Sequence, residues 1–140
     1  MAVQKNNIVD FINSTAHYLL LDVRSPAEFE HAHIPGANSV PLFDNEQRAI
    51  VGTTYKKQSR EDAIKMALPF FGDKMLNMVK QVEKWVRALE EKNPGVQPNI
   101  CVHCWRGGMR SAAVAWLLDL YGFKVFQLVG GYKAYRNWII

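Results

Sequence analysis

Cysteine is scarce in this chain: there are two, Cys101 and Cys104, three positions apart. Four-cysteine zinc spacing is therefore absent, and no metal site is expected. A CxxC redox pair stays open at this point. Long apolar runs are also missing. The longest, such as Ala112 to Leu118, is far too short to span a bilayer, so no membrane partner is expected. The first residues, Met-Ala-Val-Gln-Lys-Asn-Asn, lack the apolar stretch of a secretory signal, and a cytoplasmic location is expected. There is no internal repeat, low-complexity segment or interdomain linker. A surplus of one charge sign is slight: net charge is +4 and the pI is near 9.1. That balance is compatible with an anionic partner, but many solvated surfaces share it.

What is present is an ordinary globular mixture, with 49% hydrophobic and 21% charged residues. The 140 residues fit one domain over 1–140. A chain of this size buries roughly two-thirds of its extended surface, enough for one core. Helix and strand patterns alternate, which predicts an α/β domain with a mainly parallel central sheet flanked by helices. Ile8, Phe11 and Ile12 suggest a short first helix, and Tyr18 to Val23 reads as a buried strand. Ser25-Pro26-Ala27-Glu28 is a helix start, with Ser as N-cap and Glu three residues on. Ala37 to Val40 reads as a second short strand. Residues 41–58 are polar and irregular and suggest a functional loop. Ser59 caps a short helix that Gly72 and Asp73 end. Met75, Val79, Val82, Val86 and Leu89 then form a helical stripe, which Asn93-Pro94-Gly95 stops. Asn99–His103 is a strand, Ser111–Tyr121 a helix ended by Gly122, and Val125–Leu128 a last strand. Gly130-Gly131 turns into a helix carrying Tyr132, Tyr135 and Trp138.

The chemistry concentrates where a strand, a cysteine, a glycine-bearing loop and a helix follow one another. Cys104 falls at the carboxyl end of a central strand, the edge at which open α/β sheets bind ligands. Trp105-Arg106-Gly107-Gly108-Met109-Arg110 would form an anion- and substrate-binding loop. Gly107 and Gly108 allow successive N–H groups to turn inward. The next helix points its positive end at the same spot. Arg106 and Arg110 add positive charge, Arg110 as the residue closing the cup. Such a setting lowers a cysteine pKa from about 8.5 by one to several units, so Cys104 is expected to be an ionised nucleophile. A buried structural thiol is the weaker reading for Cys104 and the stronger one for Cys101, which lies on the strand. His103 precedes the loop and is not expected to act as a general base.

Leu21-Asp-Val-Arg-Ser-Pro-Ala-Glu-Phe29, followed by His31-Ala-His-Ile-Pro-Gly-Ala37, resembles the N-terminal signature of rhodanese domains. Val129-Gly-Gly-Tyr132 with Trp138 resembles their C-terminal signature. The likeness covers nearly the whole chain and implies a rhodanese-like fold. It also implies an ion pair between Arg24 and Glu28, a turn held by His33, and a scaffold role for Asp22. A common rhodanese loop has four residues between cysteine and arginine, and here there are five. His103-Cys104-x-x-Gly107-x-x-Arg110-Ser111 thereby also matches the pattern of cell-cycle dual-specificity phosphatases. A phosphatase or arsenate reductase is the alternative, with Asp44, Asp62 and Asp73 as the acids to consider.

Val102 to Ser111, with Gly52-Thr-Thr-Tyr-Lys56 and Gly130-Gly-Tyr-Lys-Ala-Tyr135, is similar to the N-terminal rhodanese domain of bacterial tRNA 2-selenouridine synthases. That resemblance implies a sulfur or selenium transferase acting in conversion of wobble 2-thiouridine to 2-selenouridine. Cys104 would carry the chalcogen, selenophosphate would be co-substrate, and no cofactor would be bound. The family continues into a domain with the P-loop Gly-x-x-x-x-Gly-Lys-Ser/Thr, a motif this sequence does not contain. The alternatives are a piece of a longer enzyme and a split enzyme with a separate P-loop partner. Neither lets this chain by itself complete the modification. Tyr55, Lys56, Lys57 and Arg60 are candidate tRNA contacts over the site, and Trp105 a candidate for stacking on a base. A solvated basic loop with a locally packed aromatic is the equal alternative. An inactive rhodanese module used for binding comes last, because Cys104, its glycines and its arginine are all retained.

Overall fold

The computed structural model describes residues 3–14 and 18–139. Residues 1, 2 and 140, the outer ends of the expected domain, lie outside that range, as do residues 15–17. In chain order the elements are β1 Gln4–Asn6, α1 Ile8–Ser14, β2 Tyr18–Asp22, α2 Pro26–His31, β3 Asn38–Ser39, α3 Asn45–Lys57, α4 Arg60–Lys92, β4 Asn99–His103, α5 Met109–Tyr121, β5 Lys124–Leu128 and α6 Gly131–Ile139. The strands form one sheet in the order β1-β5-β4-β2-β3. Every neighbouring pair in it is parallel.

Alternation along the strands divides the core into two layers. Leu19, Leu21, Ile100, Val102 and Val125 face one side, where Phe71, Met78, Val82 and Val86 of α4 and Val114 and Leu118 of α5 cover them. Leu20, Cys101, Phe126 and Leu128 face the other, against Phe11 of α1 and Tyr132 of α6. A strand buried on both faces must be apolar at successive positions, which is why β2 and β4 read as unbroken apolar runs.

The structure corrects two expectations. Residues 41–58 are not an irregular loop: Asp44 caps α3 through the Gln47 N–H (2.7 Å), and Gln47 Oε1 accepts from the Asp44 N–H (3.1 Å). Gly72 and Asp73 do not end a helix either. α4 runs through Pro69 and Gly72 for 33 residues. Ser59 does cap it, accepting from the Asp62 N–H at 3.0 Å. One proline and one glycine inside a helix cost about 4 kcal/mol together. The continuous buried stripe from Ala63 through Phe71, Met78, Val82 and Val86 offsets that cost. The short edge strand β1 was not foreseen.

The topology fixes where a ligand can enter. β2 and β4 are neighbours, with Asp22 paired to His103 in register. The chain leaves β2 toward β3 on one side and β4 toward β5 on the other. Diverging connections open a crevice above the carboxyl ends of these two strands. Cys104 is the first residue beyond β4.

Candidate active site

The loop after β4 is held from behind. Its carbonyls at Cys104 and Trp105 accept from the Tyr132 and Lys133 N–H groups at the start of α6, at 2.8 and 2.9 Å. Gly131 makes that approach workable: its φ is +57°, and a Cβ there would stand 2.4 Å from the Cys104 oxygen and 2.7 Å from the Trp105 oxygen. At the far end of the loop Gly108, with φ +84°, is the N-cap of α5. Its carbonyl accepts from the Ala112 N–H (2.8 Å) and from Gln127 Nε2 (2.9 Å). With these oxygens engaged, the loop can offer its amide edge rather than its carbonyls to a ligand. Gly107 has open space around it and no positive φ, so of the two loop glycines Gly108 is the one the backbone requires.

Cys104 is 3% exposed, and its Sγ lies 3.3 Å from Ser111 Oγ. Gln127 Nε2 donates to that hydroxyl at 2.8 Å, filling one of its acceptor positions. The Ser111 proton is then free for the sulfur or for the Gly108 carbonyl, 3.2 Å away. His103 is fully buried, and its Nδ1 meets the Cys104 carbonyl at 3.1 Å, so the Nδ1–H tautomer donates there. Burial pulls this imidazole below its usual pKa, against the upward pull of Asp22, and the ring is a neutral strut for the loop. Cys101 sits in the opposite layer, pushed up to about 12 by burial. Both thiols are free, so the pair is not a disulfide.

The charges around the crevice depart from the expected pairing. Arg24 does not bind Glu28. It clasps Asp22 at 2.7 Å, donates to the Ala32 carbonyl at 2.7 Å, and lies 4.3 Å from the Tyr132 ring centre. Arg24 precedes the helix, so spacing of four does not bring the two side chains together there. Glu28 instead takes both arms of the Arg110 fork, at 2.7 and 3.2 Å, across the gap between β2 and β4. Burial raises the Glu28 carboxyl, and Arg110 with the Ser25 hydroxyl and N–H more than reverse this, lowering it to about 2. Arg48 of α3 approaches the same carboxylate at 3.6 Å. Its pKa is lowered by burial and by Arg110, while Glu28 and Cys104 pull it back.

Above Cys104 opens a cavity of about 530 Å3 between the loop and the α3–α4 pair. Leu42, Phe43, Val51, Ala67 and Phe71 make its walls apolar. Cys104, Trp105, Arg106, Gly107, Gly108, Met109 and Arg110 all line it, together with Arg48, Tyr55 and Lys56. No aspartate or glutamate is among the lining residues.

The Rhodanese-like domain model matches residues 7–137. The chain belongs to the rhodanese-like family. It is 36% identical over 122 residues to a tRNA 2-selenouridine synthase of Hydrogenovibrio crunogenus, covering 86% of this chain and 32% of that one. A namesake from Nitrosomonas europaea is 37% identical over 124 residues, covering 86% and 30%. The chain thus spans about a third of the length of these curated relatives. Among solved structures, the N-terminal domain of a putative ATP/GTP binding protein from Clostridium difficile 630 superposes with a TM-score of 0.80 at 34% identity, over 99% of both chains.

In this rhodanese domain the sequence-derived RNA candidates separate. Tyr55, 51% exposed, and Lys56 stand on the cavity rim, while Lys57 and Arg60 do not line it. Arg60 is 3.9 Å from Glu61. Trp105 is not a free platform: its ring stacks near Tyr132 (6.1 Å between centres), and Arg136 lies 5.0 Å from its centre. His33 does tie a turn, its Nδ1 2.8 Å from the Phe29 carbonyl. Sequence reasoning missed Arg48, Gln127 and the use of Glu28. Arg48 lay in the stretch taken for a loop, although Asp44 and Gln47 marked a helix start there. Gln127, a polar residue in an apolar strand, was the available signal for a buried contact. No helix is long and apolar enough to cross a membrane among the described residues.

Proposed function

We propose that this rhodanese domain is the sulfur/selenium-carrying module of a tRNA-modifying enzyme, converting wobble 2-thiouridine to 2-selenouridine in the cytoplasm with selenophosphate as donor. The observation that carries the reading is Cys104 at the base of a cation-flanked cavity, under a loop whose carbonyls are tied back. The names of the relatives support the tRNA substrate, and the remaining two-thirds of their length leaves room for a P-loop module acting on the same tRNA.

In the loading step the Cys104 thiolate attacks the donor chalcogen. With thiosulfate, a new S–S bond forms at Cys104, the donor S–S bond breaks, and sulfite leaves with the electron pair. Selenophosphate carries selenium already at the selenide level, so it acts on Cys104 that bears the persulfide. Water takes the phosphorus as the Se–P bond breaks, phosphate leaves, and the selenide displaces the outer sulfur as hydrosulfide, leaving selenium on Cys104. Loop N–H groups and the nearby guanidiniums stabilise the charge on the anion and on the terminal chalcogen. The second half-reaction presents that chalcogen to the tRNA base, with Tyr55 and Lys56 at the rim.

A rhodanese-fold phosphatase is the competing reading, and the cavity disfavours it. Asp44 caps α3, Asp62 opens α4, Asp73 lies within α4, and none lines the cavity to protonate a leaving group. Intact mass after incubation with selenophosphate, thiosulfate or a phosphate ester separates the two. A dithiothreitol-labile gain of one sulfur atom with release of sulfite, exchanged for selenium with release of phosphate and hydrosulfide when selenophosphate follows, and absent in Cys104→Ser, is expected. No adduct, with Cys104-dependent release of phosphate from the ester, would establish the phosphatase instead.

A further inference from the structure

Arg48, Gly52 and Lys56 recur at intervals of four along α3, so they share one helix face. All three border both the Cys104 cavity and a smaller concavity of about 470 Å3 beside Glu28. Gly52 is a notch in this face. A Cβ there would stand 2.8 Å from Arg48 Nη1, so the guanidinium lies across bare backbone. Arg48 Nε is buried and has no hydrogen-bond partner. Glu28 is 3.6 Å away, beyond hydrogen-bonding distance, and already holds Arg110 at 2.7 and 3.2 Å. Of the three guanidiniums lining the cavity, Arg110 takes both Glu28 oxygens, Arg48 keeps only a 3.6 Å ion-pair contact with one of them, and Arg106 belongs to the loop itself.

We infer that Arg48, seated on Gly52 and backed by Lys56, is the anion-binding group of this site, holding the oxyanion half of the chalcogen donor while its chalcogen end faces Cys104. The donor class, a thiosulfonate or selenophosphate-like tetrahedral dianion, rests on the transferase reading. The anion site itself does not. Arg48 and Arg110 around one carboxylate leave a single positive charge, and Lys56 and Arg106 add two more, enough for a doubly charged oxyanion. Arg48 can offer a tetrahedral anion two parallel N–H groups, which an ammonium cannot. The released sulfite or phosphorus oxyanion would remain on Arg48 after the chalcogen has passed to sulfur.

The test compares alkylation of Cys104 by iodoacetate and by iodoacetamide, read by peptide mass, with inorganic phosphate as competitor. The two reagents share a leaving group and differ by one charge. Arg48→Gln is expected to lower the iodoacetate-to-iodoacetamide rate ratio by about five- to tenfold, the worth of one partly screened charge at this range. It should also abolish protection by phosphate. Gly52→Ala keeps every charge but displaces the guanidinium, and is expected to lower the ratio part of the way. Arg87→Gln, on the exposed far part of α4, is the control for net charge. An unchanged ratio and unchanged phosphate protection in both Arg48→Gln and Gly52→Ala would overturn the inference, even if wild-type Cys104 loads sulfur or selenium. An Arg48-dependent ratio without any loading would leave the anion site standing and remove its assignment to a chalcogen donor.

Discussion

Replacing Glu28 by glutamine should make the domain less stable at neutral pH and less sensitive to acid. The carboxyl falls from 4.5 to about 2 on folding because Arg110 and the Ser25 hydroxyl and N–H outweigh the burial that raises it. A depressed carboxylate contributes stability that is fully present above its unfolded value and is lost as pH falls through its folded one. Taken at face value the depression is worth roughly 3 kcal/mol. The side chain keeps 27% of its surface in water, however, and screening brings the expected contribution to about 1–2 kcal/mol. The amide oxygen in Glu28→Gln can still accept from Ser25, so the helix cap survives and the charge alone is removed. Urea unfolding of wild type and variant at constant ionic strength, from pH 7 to pH 3, measures the difference. It should be about 1–2 kcal/mol at pH 7, begin to shrink near pH 4.5, and lose about four-fifths or more of its size by pH 3. A difference that stays constant over this window would show that Glu28 acts through packing or capping, and the ion-pair reasoning would fail.

Gly131→Ala places a methyl group against the Cys104 and Trp105 carbonyls and a side chain in the left-handed region, so it should destabilise by about 2–4 kcal/mol, read as a lower urea midpoint at unchanged slope. A loss under about 0.5 kcal/mol would mean that α6 does not clasp the loop as described. Ser111→Ala removes the hydroxyl 3.3 Å from Cys104 Sγ and should slow alkylation of Cys104 by about three- to tenfold at pH 7 with little change in melting temperature. An unchanged rate would make Ser111 a partner of Gly108 and Gln127 only. Lys56→Glu should weaken tRNA binding and flatten its salt dependence more than Lys57→Glu, because Lys56 is on the cavity rim and Lys57 is not. Equal effects, measured by filter binding across a salt series, would place the RNA surface elsewhere.

The sheet and the loop after β4 were legible because both are written locally. A strand buried on two faces must be apolar throughout, and β4 accordingly runs from Asn99 to His103 as its letters suggest. The glycines around the loop marked where backbone must turn or approach closely, at Gly108 and Gly131. α3 was not legible from its hydrophobic pattern, since only Thr54 is buried in it and the helix is kept by its cap and by α4. Pro69 and Gly72 misled for a related reason: local breakers weigh against a helix only until a long buried stripe outweighs them. The charge pairing around Glu28 could not be read from spacing at all. Arg110 and Glu28 are 82 positions apart and meet because β2 and β4 are neighbours in the sheet.

The clasp between α6 and the loop has a consequence for the order in which the molecule is made. During synthesis Cys104 leaves the ribosome well before Gly131, Tyr132 and Lys133, yet the carbonyls of Cys104 and Trp105 bond to the N–H groups of Tyr132 and Lys133. A nascent chain that has reached β5 already holds the thiol and the strands that carry it, but not the built cup. Closure of the loop around Cys104 is thus postponed until α6 docks. In the finished protein the same dependence runs in reverse. Fraying of a nine-residue helix would release the loop around Cys104 while the sheet beneath it stayed folded.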